Sequence, residues 1–268
     1  MTVDPAPLSA LLRQMSSVLV AHSGGVDSTL LAVLAARELG TRALAVTVRA
    51  QAMLERELEL AREVCARHGV NHRFIDFDQL ALPEFVANEA ERCYHCKKAI
   101  FLRLRELADR EGLAQVVDGG NVDDLRDYRP GTRAVRELGV RSPFQEIGWG
   151  KAQIRAVSRQ LGLPTADLPS AACLASRIPY GTPITDRALR QVAAVEQALD
   201  RLGIRGARAR HHGDLVRLEL PEGSQDALAE PTRRDTVVQV ASEAGFRYVT
   251  VDLVPYRTGR MNEALPHA

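Results

Sequence analysis

VLVAHSGGVDSTLL, residues 18–31, places SGGVDS at the joint between a short apolar strand and a helix. Val18–Ala21 read as a buried parallel strand, Ser23, Gly24 and Gly25 as a turn, and Asp27–Leu39 as a helix by apolar spacing. Two glycines let backbone N–H groups approach an anion closely, and the helix N-terminus adds a favourable dipole. Ser23 and Ser28 offer hydroxyls. Asp27, itself an anion, is expected beside a magnesium ion rather than against bare phosphate. A plain strand–turn–helix corner is the competing reading. Six ordered residues in this context favour a pyrophosphate cradle.

Working outward, strand and helix alternate. Ala43–Val48, His72–Phe77 and Gln115–Asp118 read as strands, and Leu54–His68, Thr132–Leu138 and Lys151–Leu161 as helices, with a further helical region after Pro83. Such βα alternation predicts an α/β fold: a doubly wound, mostly parallel sheet with its ligand at the carboxyl ends of the strands. Leu163–Pro183 holds four prolines and little periodicity, and reads as a functional or interdomain loop. Beyond it come helix Asp186–Leu202, strands Ala207–His211 and Val216–Leu220, a helix to about Ala244, and strand Tyr248–Val254. That order predicts a small C-terminal α+β domain with an antiparallel sheet. The expected division is 1–180 and 181–268.

The chain has 268 residues, a net charge of +1, 46% hydrophobic and 26% charged residues, all ordinary for a soluble globular enzyme. The near-neutral charge gives no case for nucleic acid or a membrane surface as partner. No window approaches the ~20 apolar residues of a bilayer span, and the N-terminus lacks an apolar signal core. Four cysteines without such a signal point to the reducing cytoplasm, where paired thiols serve metals or catalysis more often than disulfides.

Cys93 and Cys96 form CYHC just before the helical run Lys97–Ala108, Cys173 lies in the proline-rich loop, and Cys65 reads as a core thiol of the second helix. Three chemistries remain open for the CxxC pair. They are a redox disulfide, which favours a strand-to-helix setting; a structural zinc, which needs four ligands; and an iron–sulfur cluster on Cys93, Cys96 and Cys173 with one iron free of protein ligands.

SGGVDS without a following lysine is not the GxxxxGK[ST] loop, and it resembles the PP-loop of the ATP pyrophosphatases, whose fold is adenine nucleotide alpha hydrolase-like. That likeness implies attack on the α-phosphorus of ATP and release of pyrophosphate. Five further segments narrow it: RCYHCKK, DGGNVDDLRDYRPG, PSAACLASRIPYGTPIT, RARHHGDLVRLE and DLVPYRTGRMNEAL, in this order. With AHSGGVDST they resemble the LarE family, the ATP-dependent sulfur transferases that make the nickel-pincer nucleotide cofactor, from about residue 15 to 265.

The resemblance implies adenylation of a carboxylate of pyridinium-3,5-biscarboxylic acid mononucleotide, then its conversion to a thiocarboxylate. Two sulfur sources are implied. Cys173 gives up its own sulfur, or Cys93, Cys96 and Cys173 hold a 4Fe–4S cluster carrying a transferable sulfide; with all three cysteines present, the cluster mode is favoured. Guided by the resemblance, Ser23, Gly24, Gly25, Asp27 and Ser28 hold the pyrophosphate end of ATP, and Thr47, placed after the second strand, faces the adenine. Asn121 and Asp124 lie after the fourth strand, where Asp124 shares Mg2+ with Asp27 unless DGGNVDD is only a turn with capping carboxylates.

Ser176 and Arg177 are placed to address a substrate phosphate or carboxylate. Arg208 and Arg210 alternate on one strand and share a face, which suits a nucleotide phosphate, with Glu196 and Glu219 as their positioning partners. Tyr94 is a candidate to stack on the pyridinium ring. Homo-oligomers, trimers or hexamers, are implied. The segment DLVPYRTGRMN departs from the family pattern, which leads one to expect glycine at Pro255 and serine at Arg260. An amide-forming PP-loop ligase, a tRNA-thiolating enzyme and a nucleotide sensor are the rival functions.

Overall fold

The computed structural model describes residues 3–126, 130–169, 172–257 and 259–260. In chain order it runs α1 (Ala6–Gln14), β1 (Val18–Ala21), α2 (Val26–Leu39), β2 (Ala43–Arg49), α3 (Glu55–Arg67), β3 (His72–Asp76), α4 (Pro83–Val86), α5 (Arg92–Arg110), β4 (Gln115–Val117), α6 (Pro130–Glu137), α7 (Pro143–Glu146), α8 (Lys151–Gln160), α9 (Asp186–Arg201), β5 (Arg208–His212), β6 (Leu215–Glu219), α10 (Pro231–Glu243) and β7 (Tyr248–Val251). Two units emerge: residues 1–78 with 93–171, and residues 79–92 with 172–268.

The first unit is built on a four-stranded sheet in the order β3-β2-β1-β4. Every neighbouring pair is parallel, as the βα alternation predicts. Alternation along β1 sends Val18 and Val20 into one core and Leu19 into the other, and in β2 Ala43 and Ala45 part from Leu44 and Val46 in the same way. One core adds Leu8 and Leu12 of α1, Leu30 and Leu31 of α2, and Ile154 and Val157 of α8. The other adds Phe101 and Leu104 of α5 and Val135 of α6. A sheet covered on both faces explains why its strands are apolar runs.

In the second unit α9 opens at Thr185, whose hydroxyl accepts from the Ala188 backbone N–H at 3.1 Å, an N-cap that satisfies an orphan donor. Its sheet runs β5-β6-β7. The β5–β6 hairpin is antiparallel, but β6 and β7 pair in parallel. This corrects the expected antiparallel sheet. Helix α10 carries the chain between β6 and β7, and a crossover helix returns a strand in the parallel sense.

Residues 79–92 belong with this unit because Asn88 ties them there. Its fully buried side-chain amide donates to the backbone carbonyls of Pro179 and Thr182, both at 2.8 Å. The backbone N–H of Ile184 donates to Val86 O at 2.9 Å.

Candidate functional site

In the first unit the loop between β1 and α2 closes on itself through its serines. Ser28 Oγ accepts from the Ser23 backbone N–H at 3.1 Å and lies 3.0 Å from Ser23 Oγ. Gly24 has φ +78°, and a Cβ there would lie 2.9 Å from Glu57 O of α3, so this position requires glycine. Gly119, just after β4, approaches from the other side, where a Cβ would meet the Ser28 backbone nitrogen at 2.9 Å. The Gly-Gly of DGGNVDD therefore serves close backbone approach to the loop.

Asp27 sits in the first turn of α2, and its Oδ1 is buried with no hydrogen-bond partner. Its other oxygen is ion-paired with Lys151 Nζ at the start of α8. Burial pushes the Asp27 carboxyl above its usual range, Lys151 pulls it back, and the charge of Asp124 raises it further. An orphaned carboxylate oxygen repelled by a second carboxylate fits a divalent cation with oxygen ligands, so these residues suit Mg2+. Nothing in the sequence pattern singles out Lys151. It opens a helix after Gly150, but its partner lies 124 positions away.

The DGGNVDD segment divides its carboxylates. Asp123 accepts from the Lys151 backbone N–H at 2.7 Å and caps α8, while Asp124 accepts from the Asn121 backbone N–H at 3.0 Å. Asn121 is buried, and its Oδ1 accepts from the Asp123 N–H at 3.0 Å.

Thr47 lies within β2 rather than after it, and is fully buried. Its hydroxyl lies 3.1 Å from His22 Nδ1 and 2.8 Å from His72 Nε2, so it is engaged inside the unit and not offered to a base. Burial and the neighbouring His72 push the His22 imidazole down to about 3, and burial pushes the Cys65 thiol up to about 12. Cys65 is the buried thiol of α3 that the sequence suggests.

Helix α5 starts at Arg92, so Cys93 lies in its first turn and Cys96 at the start of its second, instead of both preceding it. The weak helix formers around CYHC hide that start. Spaced i, i+3, Cys93 and Cys96 share one helix face, Cys93 half-buried and Cys96 buried. A helix N-terminus favours thiolates, and a pair of thiolates there suits an iron–sulfur cluster. Tyr94 is differently engaged: its hydroxyl donates to Glu137 at 2.6 Å, and the Arg133 guanidinium lies 4.0 Å over its ring.

In the second unit Cys173 is free and exposed, at the head of the short turn Leu174–Arg177. Arg177 is buried and holds that turn from beneath. It forms a two-pronged pair with Glu196 of α9 at 2.7 and 2.8 Å. Its remaining nitrogen donates to Ala172 O at 2.8 Å, Cys173 O at 3.3 Å and Ser176 Oγ at 2.8 Å. Arg177 thus positions the cysteine turn, a correction to the expectation that it addresses substrate.

Glu196 pairs with Arg177, accepts from the Ala209 backbone N–H at 3.0 Å, and its charge also acts on Arg208 of β5. Glu219 holds Arg210 at 2.9 and 2.6 Å, and Arg210 reaches Ser176 O at 2.7 Å. Arg208 donates to the carbonyls of Gly206 and Ala207, both at 3.1 Å, with its guanidinium 4.7 Å over the Tyr256 ring. Burial, then the nearby charge of Arg177, lowers the Arg208 pKa.

Arg260, where serine is expected, lies 2.8 Å from Asp252 and 3.6 Å from Glu219, and Arg217 also reaches Glu219 at 3.3 Å. Arg177, Arg210, Arg217 and Arg260 are thus each ion-paired with Glu196, Glu219 or Asp252 around β5 and β6. The residues after 260, including the end of the last family segment, lie outside the described residues.

The asparagine synthase family matches residues 9–97, the stretch that carries the loop. Over 265 residues the chain is 37% identical to pyridinium-3,5-bisthiocarboxylic acid mononucleotide synthase of Lactiplantibacillus plantarum, a match covering 98% of this chain and 95% of that protein. The chain belongs to the LarE family. Other relatives extend it: an uncharacterized protein of Synechocystis is 40% identical over 96% of both chains. Another from Methanocaldococcus jannaschii is 29% identical over 90% of this chain and 91% of its own. Among the described residues of this LarE family member, no helix is long and apolar enough to cross a membrane.

Proposed function

We propose that the protein is an ATP-dependent sulfur transferase that adenylates a carboxylate of pyridinium-3,5-biscarboxylic acid mononucleotide and converts it to a thiocarboxylate. The observation that carries the reading is Cys173, an exposed thiol on a turn fixed by a buried Arg177–Glu196 pair. A rigidly presented sulfur has no place in an ammonia-dependent ligase. The near-full-length relationship to the Lactiplantibacillus synthase supports the same substrate.

In this reading Ser23, Gly24, Gly25 and Ser28 cradle the pyrophosphate of ATP, with the positive end of α2 behind them. Asp27 and Asp124 serve the magnesium ion, which would neutralise phosphate charge, and Asn121 serves the nucleotide site. Lys151 balances Asp27 and supplies a further cation beside the leaving pyrophosphate. The carboxylate oxygen of the substrate attacks the α-phosphorus and pyrophosphate leaves. A sulfur nucleophile then attacks the acyl carbon, and AMP leaves with the carboxylate oxygen. Thr47 shapes the β2 side of the nucleotide site through its buried hydroxyl bonds. Arg208 and Arg210 hold the substrate phosphate, with Glu219 fixing Arg210 and Ser176 lying in the same turn as Cys173.

For the sulfur source, the reading assigns Cys93, Cys96 and Cys173 as ligands of a 4Fe–4S cluster. When bound, such a cluster has one iron without a protein ligand and supplies a terminal sulfide. A second reading has Cys173 surrender its own sulfur, and the exposure of Cys173 against the burial of Cys96 favours it. Mass spectrometry after reaction separates them. Cys173 converted to dehydroalanine marks sacrifice; intact Cys173 with accumulating product, and iron and labile sulfide in anaerobically purified protein, marks the cluster. Product formed from ammonia with no sulfur incorporated would overturn both.

Four cysteines and a net charge of +1 suit a cytoplasmic enzyme with no nucleic-acid partner. Self-association as a trimer or hexamer is supported by exposed Tyr248 and Val251 of the edge strand β7 and Leu253 just after it, in the unit we read as the substrate-binding and oligomerisation domain.

A further inference from the structure

The reaction leaves one group of side chains in the first unit without a task. His22 follows β1 and directly precedes Ser23 of the loop, Cys65 projects from α3, and His72 opens β3. His22 Nδ1 lies 3.8 Å from Cys65 Sγ, and one ligand atom from each of the three residues falls within 4.8 Å of the other two. The two imidazoles meet edge to face, with ring centres 5.5 Å apart.

Three residues distant in sequence bring two nitrogen lone pairs and a thiol to one point among otherwise apolar strands and helices. Apolar side chains would fill the same space without burying imidazole. A set of two imidazole nitrogens and one thiolate sulfur is soft to borderline in character and selects zinc over magnesium or calcium. The outer partners are also in place. His22 Nε2 is bonded to Thr29 Oγ1 at 3.1 Å, which orients the ring and leaves Nδ1 facing Cys65. The Thr47 hydroxyl is bonded to Nδ1 of His22 at 3.1 Å and to Nε2 of His72 at 2.8 Å, so an oxygen stands beside both ring nitrogens. His72 is half-buried while the other two are buried, so it marks the route by which an ion enters.

We propose that His22, Cys65 and His72 form a binding site for one zinc ion at the root of the SGGVDS loop, distinct from the residues assigned to sulfur transfer. Ions of this class sit about 2.0–2.3 Å from nitrogen and sulfur ligands, which places tetrahedral ligand atoms about 3.3–3.6 Å apart, so the three groups, now within 4.8 Å of one another, draw together on binding. The Cys65 thiol gives its proton to solvent as the Zn–S bond forms. His22 then exchanges its Nδ1 bond to Thr47 for the metal while keeping Thr29, which ties the start of the loop and the first turns of α2 to the occupied site.

The test uses the full chain with Cys93, Cys96 and Cys173 all changed to serine, so that Cys65 is the remaining thiol. Equilibrium dialysis against Zn2+ should give one equivalent bound, and Co2+ in its place should show a sulfur-to-cobalt charge-transfer band. Adding Cys65→Ser should abolish the band and weaken zinc binding at least 100-fold. His72→Gln, at a half-buried position, should weaken it at least tenfold and keep the band. Failure of the cysteine-depleted protein to bind zinc, or zinc binding unchanged by Cys65→Ser or His72→Gln, would overturn the site. None of these readouts depends on the sulfur-transfer reading.

Discussion

The SGGVDS loop of the first unit and the arginine face of the second both suit anions, and they are built in opposite ways. In the loop the backbone does the work: Gly24 and Gly119 remove side chains so that the loop packs backbone to backbone against α3 and the segment after β4, and charge enters through Asp27, Lys151 and Asp124. Around Cys173 side chains do the work: Arg177 and Arg210 are buried and each is braced by a carboxylate, Glu196 or Glu219. A backbone site is sensitive to one added methyl group. A side-chain site is sensitive to the loss of a partner.

The largest expected effect tests what the second region presents. Cys173→Ala should abolish sulfur transfer completely while ATP–pyrophosphate exchange persists, followed with labelled pyrophosphate; sulfur transfer retained in this variant would remove Cys173 from the reaction. Next comes the brace. Glu196→Gln leaves Arg177 buried beside a neutral group, and breaking a buried pair costs about 3–5 kcal/mol. Urea unfolding should show that loss, and an unchanged midpoint would mean that the turn is held some other way.

Gly24→Ala tests the backbone side of the comparison. The left-handed backbone costs alanine about 1–2 kcal/mol, and the approach to Glu57 O adds to it. ATP affinity, measured by calorimetry, should fall at least tenfold while binding of the pyridinium nucleotide is retained. Arg208→Ala should do the reverse. It should weaken the nucleotide substrate by about 1.5–3 kcal/mol, the range for a charge-assisted bond, with ATP binding unaffected. If both variants impair both ligands equally, the two regions are not separate sites.

The smallest effect is in pH dependence. The Asp27 carboxylate is the form that serves a cation, and its pKa is raised, so pyrophosphate exchange should fall as pH drops through that raised value. Lys151 lowers the Asp27 pKa, so Lys151→Met should move the acid limb toward higher pH. The stability of the metal-free protein has the opposite sign. A raised folded-state pKa favours the protonated fold, and that contribution is present at low pH and lost as pH rises through the raised pKa. A limb that stays in place in Lys151→Met would detach Lys151 from Asp27.

Legibility differs between the two regions in the same way. β1, β2 and α2 lie within one residue of where apolar spacing puts them, because strand and helix periods are local. The start of α5 escapes that spacing because Cys93, Tyr94 and His95 are poor helix formers, held in the helix between the buried Arg92 and Cys96. The parallel pairing of β6 with β7 escapes it because strand sense depends on how α10 returns the chain. Arg208 and Arg210 are legible as a shared face from strand alternation, whereas the bracing role of Arg177 is not.

By itself the sequence determined the parallel α/β sheet, the glycine loop between β1 and α2, the presence of three cysteines in family-typical segments, and the family to which the chain belongs. Each of these is written in neighbouring residues, within a few positions of one another. Only the tertiary structure decided that Lys151 meets Asp27, that Glu196 braces Arg177 beneath Cys173, and that His22, Cys65 and His72 share one buried point. Those pairings join residues 124, 19 and 43 positions apart in the first contact of each, and no local period encodes which distant side chain will arrive.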